Sequence, residues 1–213
     1  MHRALSAALA AAASTLLIVL TGCGGGTDAR TVPPERTAPN GDVFNEADVA
    51  FATAMIPHHA QALSMVDLAR GREHSPEVRR LTVDILEAQA PEIETMVDWL
   101  TAWGEPVPAT MRDHAHAGHG DGGGTTGGEE PAEAPAMPGM MSAQDMTELQ
   151  HASDAEFERL WLEMMVEHHR GAIAMAEDQR ENGIFAPATD LAASVVTSQR
   201  AEITVMESLL DRA

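Results

Sequence analysis

Met55-Ile56-Pro57-His58-His59 recurs 110 residues later as Met165-Val166-Glu167-His168-His169, and this repetition decides how the chain is read. The register holds outward from it without a gap. Met65 matches Met175, and Gln89, Glu92, Ile93, Met96 and Leu100 match Gln199, Glu202, Ile203, Met206 and Leu210. Glu46, Ala62, Arg70 and Leu81 find identical partners in Glu156, Ala172, Arg180 and Leu191. A self-similar unit of this length is one supersecondary element present twice.

Both copies are rich in Ala, Leu, Met, Glu and Arg and poor in β-branched and aromatic runs, a composition that favours helix. Each copy breaks once in the middle. Gly71 and Ser75-Pro76 interrupt the first, with Ser75 placed to cap a helix that Pro76 opens; Asn182-Gly183 and Pro187 interrupt the second. The expectation is an all-α fold: a ferritin-like four-helix bundle made of two antiparallel helix pairs, at 44–103 and 144–213. Pro57 lacks an N–H, so a kink or a helix start is expected near Ile56-Pro57, against a regular helix through Glu167.

On a helical wheel, Phe51, Met55, His58, His59, Ala62, Met65 and Val66 share one face. Gln89 and Glu92 likewise turn inward with Ile93 and Met96, and the second copy repeats the arrangement. A bundle core is ordinarily aliphatic, and buried polar groups need partners. Two readings compete: a satisfied network of His and Glu with Met as filler, or a metal site. Iron-type bundles use Glu-x-x-His and further carboxylates, whereas this chain has Met-x-x-His and only Glu92 and Glu202 as inward acids. Thioether and imidazole together suit copper, and structural zinc prefers Cys and His. The candidate metal residues are therefore Met55, His58, His59, Met65, Met165, His168, His169 and Met175, with Glu92 and Glu202.

The ends and the middle carry different signals. Arg3 and an apolar run from Ala7 to Leu20 precede Leu20-Thr21-Gly22-Cys23, which describes a signal peptide over 1–22 and resembles a bacterial lipobox with Cys23 as the lipidation site. Residues 23–43 read as a flexible tether and 104–143 as a His-, Gly- and Met-rich disordered crossover. Within the crossover, His114, His116 and His119 alternate and Met137, Met140 and Met141 follow, with Met146 assigned to the next helix, a composition suited to weak capture of metal. With one cysteine, no disulfide forms within the chain. There are 33 acidic residues against 13 basic ones, all arginine, for a net charge of −20. That balance argues against nucleic acid and against anionic lipid surfaces, leaving the lipid as the only membrane contact.

The Met-x-x-His-His motif followed by a Met six residues on, present twice, resembles domain-of-unknown-function family 305 over about 46–103 and 154–211. That resemblance implies a ferritin-like helical bundle, often exported, with copper binding and copper tolerance among some members. It carries over to Met55, His58, His59 and Met65, and to Met165, His168, His169 and Met175. The leading expectation is an extracytoplasmic copper-binding lipoprotein that sequesters or transfers copper without turnover. The alternatives are a dinuclear-metal redox enzyme using Glu92 and Glu202, and a structural or partner-binding lipoprotein. No Ser/His/Asp set, phosphate loop or dinucleotide fingerprint favours a common hydrolase or kinase.

Overall fold

The computed structural model describes residues 34–110 and 137–212. The expected signal peptide, Cys23 and the crossover histidines His114, His116 and His119 lie outside the described residues. The described part is mostly helical. A short antiparallel hairpin, β1 (Arg36–Thr37) and β2 (Val43–Phe44), precedes α1 (Glu46–Ala69) and α2 (Pro76–Trp103). The short α3 (Ala143–His151) then leads into α4 (Asp154–Asn182) and α5 (Ala186–Leu210). Among the described residues no helix is long and apolar enough to cross a membrane.

Helix boundaries follow local chemistry. Asn45 and Asp48 form a reciprocal capping box at the start of α1, and Ser142 and Asp145 form another at α3. Ser75 caps α2 by accepting from the Val78 N–H, with Pro76 in the first turn where its missing N–H costs nothing. Gly104, at φ 75°, ends α2 in the left-handed region that glycine tolerates. α1 does not start at Pro57; it begins at Glu46 and continues through the proline. An interior proline costs a helix about 3 kcal/mol. Burying a large apolar side chain returns ~1.5–3 kcal/mol, and Phe51, Met55, Ile56, Leu63 and Val66 of this helix are all buried.

α1 packs against α2, α4 packs against α5, and α1 packs against α4. The core falls into two apolar clusters. One joins the first half of α1 (Phe51, Met55, Ile56) to the end of α2 (Met96, Leu100), the second half of α4 (Ala172, Ala176) and the start of α5 (Ala188, Val195). The other joins the second half of α1 (Ala62, Met65, Val66) to the start of α2 (Val78, Ile85), the first half of α4 (Trp161, Met165, Val166) and the end of α5 (Met206, Leu209). Adding 110 to a member of one cluster gives a member of the other: Met55 and Met165, Ala62 and Ala172, Ile85 and Val195, Met96 and Met206. The repeat in the sequence is thus a pseudo-twofold in space that exchanges the clusters.

Each copy also fastens the turn of the other. The buried Asp48 carboxylate of α1 accepts from the Ile184 and Phe185 N–H groups and from Gln179, while Asn45 donates to the Asn182 carbonyl. Its counterpart, Glu158 of α4, accepts from the Ser75 N–H at 2.6 Å. At Gly183 an added Cβ would lie 2.2 Å from Gln179 Nε2 and 2.6 Å from Asp48 Oδ1, so a side chain there would displace this pair.

Two polar stretches are more ordered than their composition implies. Residues 36–43, expected as tether, form the hairpin together with Phe44, which stacks on Trp103 with ring centroids 4.4 Å apart. Residues 137–142, expected as crossover, pack against α1 and α4. Neither segment has a hydrophobic period, since each is held by scattered long-range contacts.

Loss of the Asp48 clamp leaves buried backbone N–H groups without an acceptor, at ~1–3 kcal/mol for each group. Asp48→Ala is therefore expected to lower unfolding free energy by roughly 3 kcal/mol in urea titrations. Asp48→Asn, which keeps an acceptor oxygen, should cost less. Equal small effects from both would contradict the clamp.

Candidate functional site

Between the two apolar clusters lies a polar layer. His58 and His59 on α1 and His168 and His169 on α4 are all fully buried there. Consecutive histidines on a helix point about 100° apart, so each pair divides its work. The first histidine of each pair reaches its own counterpart: the rings of His58 and His168 lie 3.8 Å apart between centroids, tilted by 36°. Because these residues are related by the repeat, their contact marks the pseudo-twofold axis. The second histidine turns to its own pair's outer helix. His59 Nε2–H donates to Glu92 at 2.8 Å, and His169 Nε2–H donates to Glu202 at 2.6 Å. Both carboxylates lie at the rim of the core, with 16% and 15% of their side chains exposed.

The layer is only partly satisfied. Five imidazole nitrogens are buried without a hydrogen-bond partner: Nδ1 of His58, His59, His168 and His169, and Nε2 of His168. Gln89 also brings both amide atoms into the interior unpaired. Burial pushes His58 down to about 3, and the neighbouring His59 adds to the shift. Burial also holds His168 well below the ordinary imidazole value, helped by His58 and His169. Both rings are therefore neutral at physiological pH, and each keeps a lone pair able to bind a cation.

The methionines flank this layer from both sides. Met55, Met65 and Met165 are fully buried, Met55 in one cluster and Met65 and Met165 in the other. Met175 is half-buried and departs from its counterpart Met65 by lining an open cleft of about 440 Å³ with Phe51, Met137 and Pro138. Among the described residues, no three His, Cys, Asp or Glu side chains converge on one point. The polar layer offers imidazole nitrogen, and thioether sulfur stands in the clusters on either side of it.

A non-repeated segment completes the site. Met137-Pro138-Gly139-Met140-Met141 crosses α1 and α4 as a strap, and the Pro138 carbonyl accepts from His58 Nε2–H at 3.0 Å. Gln61 grips the strap twice: its amide nitrogen donates to the Met141 carbonyl at 2.8 Å and its oxygen accepts from the Met141 N–H at 2.7 Å. The counterpart of Gln61 in the second copy is Gly171, where an added Cβ would fall 2.0 Å from the Pro138 carbonyl oxygen. One copy therefore binds the strap and the other makes room for it. Sequence reasoning missed the strap, although the mismatch of Gln61 with Gly171 two residues after a matched His-His pair was the available signal.

An all-α chain with an internal repeat and a buried His layer defines a recognisable class. The profile described as "Domain of unknown function (DUF305)" matches residues 48–210, and the chain belongs to that family. A DUF305 protein from Streptomyces coelicolor, described as a candidate secreted protein, is similar at 33% identity and TM-score 0.63, covering 78% of this chain and 93% of that one. A DUF305 fragment from Deinococcus radiodurans is similar at 28% identity and TM-score 0.63, covering 84% and 100%. CopM in its Cu(I)-bound form is similar at 26% identity and TM-score 0.58, and in its Cu(II)-bound form at 26% and 0.60, with 78% and 96% covered in each. No curated protein matches the sequence.

The neutral rings make a pH prediction. The unfolded chain binds protons at His58 and His168 below about 6.5, whereas the folded protein resists protonation, at His58 down to about 3. Their contribution to stability is complete above pH 6.5 and is lost as pH falls, at ~1.4 kcal/mol per pH unit for each ring. Urea unfolding of metal-free protein should show this slope, and a His58→Asn/His168→Asn variant should show a shallower one. Parallel pH profiles would contradict the assignment.

Proposed function

We propose that this protein is an exported copper-binding lipoprotein that sequesters or transfers copper through the Met/His layer, without turnover. Export and anchoring through a lipid on Cys23 rest on the order of charge, apolar run and Leu-Thr-Gly-Cys at the start of the chain. The ferritin-like four-helix bundle proposed here draws on the two apolar clusters, to which all four long helices contribute. The helix pairs, 44–103 and 144–213, make one folded domain, with 104–143 as the crossover.

The observation that carries copper is the set of five buried imidazole nitrogens without partners. A purely structural network would leave few such atoms, because each costs ~1–3 kcal/mol when nothing pairs with it. A soft cation would satisfy them, and with no third His or acid at hand, methionine sulfur would have to complete the ligand set. Met55, Met65, Met165 and Met175 supply that sulfur. The similarity to CopM, known in Cu(I)- and Cu(II)-bound forms, supports the same choice. A carboxylate-bridged redox centre is less well supported, since Glu92 and Glu202 each bond a histidine in a different pair.

Calorimetric titration of copper(I) tests the proposal. Wild type should bind tightly, and His58→Ala/His168→Ala should lose more than about 100-fold in affinity, by comparison with the ~10–100-fold cost of removing outer-shell groups. Circular dichroism should show the helices retained. Because burial keeps His58 neutral down to about 3 and His168 well below the ordinary imidazole value, binding should persist below about pH 6, where an exposed histidine site would release copper. No tight site in wild type under reducing conditions would return the protein to a structural or partner-binding role.

A further inference from the structure

The two nitrogens of each buried ring are not equivalent. In His58 the Nε2 faces the Pro138 carbonyl oxygen, and in His59 and His169 it faces the carboxylates of Glu92 and Glu202. A carbonyl oxygen and an ionised carboxylate only accept, so in all three rings Nε2 must carry the proton. The Nδ1 of each of these rings is buried and has no acceptor within reach. A proton there would point into apolar surroundings unpaired, which is costly. The rings are therefore neutral Nε2–H tautomers with the lone pair on Nδ1. His168 is held neither by a carboxylate nor by the strap, so the groups that fix the other three tautomers do not act on it.

We propose that Glu92, Glu202 and the Pro138 carbonyl are positioning groups that fix these tautomers, so that Nδ1, and not Nε2, is the nitrogen that each of these rings offers to a soft metal ion. The assignment rests on the copper-binding reading of the same layer and adds which atoms do the binding. It moves Glu92 and Glu202 out of the set of ligands, where their inward position on the helical wheel had placed them, and into a supporting role. A metal-bound imidazole ordinarily donates its other N–H to a carboxylate or a carbonyl, which orients the ring and raises its basicity. Here two copies use a carboxylate, and the one ring that faces the strap uses a carbonyl. The repeat supports the assignment independently: Glu92 and Glu202 are related by the same offset as the histidines they hold.

The test is long-range proton–nitrogen NMR on the intact protein with nitrogen-15 histidine, first metal-free and then loaded with copper(I), which is diamagnetic. The expected metal-free spectrum has His58, His59 and His169 as Nε2–H tautomers. On loading, their Nδ1 resonances move while the Nε2–H cross-peaks persist. Glu92→Ala/Glu202→Ala should release the tautomers of His59 and His169 and weaken copper(I) binding by ~10–100-fold. Glu92→Gln/Glu202→Gln, whose amide oxygen still accepts from Nε2–H, should retain the tautomers and most of the affinity. Copper(I) bound at Nε2, or Nδ1–H tautomers in the metal-free protein, would overturn the assignment while leaving copper binding intact. Absence of any copper(I) binding would instead overturn the functional reading beneath it, and with it the role of Nδ1 as a ligand.

Discussion

Four imidazoles buried across the middle of a helical core are the constraint that organises this protein. Apolar side chains in their place would cost nothing in hydrogen bonding, whereas five unpaired ring nitrogens at ~1–3 kcal/mol each approach the whole net stability of a domain, about 5–15 kcal/mol. The fold carries that burden by separating its apolar material into two clusters, one on each side, each built from all four long helices. Asp48 and Glu158 then fasten each copy's interhelical turn to the other copy. A layer that opposes folding and is nevertheless held in place by so much surrounding structure is best understood through what it binds.

The pseudo-twofold is broken where binding would be controlled. The axis passes between His58 and His168, yet the strap caps only His58. Gln61 and Gly171 occupy equivalent positions and do opposite things, one gripping the strap and the other yielding to it. Met137 and Met175 line the cleft beside the strap, so thioether sulfur stands at the surface as well as in the interior. Duplication thus supplied the histidine layer, and a segment outside the duplication made its two halves chemically distinct.

Much of this was legible in the sequence because a repeat at constant offset is a strong geometric statement. The helix stops near Gly71 and Gly183, the cap at Ser75, and the shared inward face of Met55, His58 and His59 all follow from period and local chemistry. Of the two outcomes expected at Pro57, a kink or a helix start, the start is excluded, because α1 runs through the proline from Glu46. Pairing of histidine with Glu92 and Glu202 was one of the two sequence readings, but which ring nitrogen each carboxylate reaches was not legible, because a helical wheel gives direction only. Hairpin and strap escaped notice for a related reason. Each is held by scattered long-range contacts, among them Phe44 on Trp103 and His58 and Gln61 on the strap, that leave no periodic trace.

The central claim is that the histidine layer, and not the surface or the crossover, is where copper resides. A crystal of copper(I)-loaded protein measured on both sides of the copper absorption edge locates the ion directly. The account predicts an anomalous peak in mid-core, within bonding reach of Nδ1 of His58, His59 or His169 and of a methionine sulfur. Strong peaks confined to the crossover or to surface carboxylates, with the layer unchanged, would contradict it.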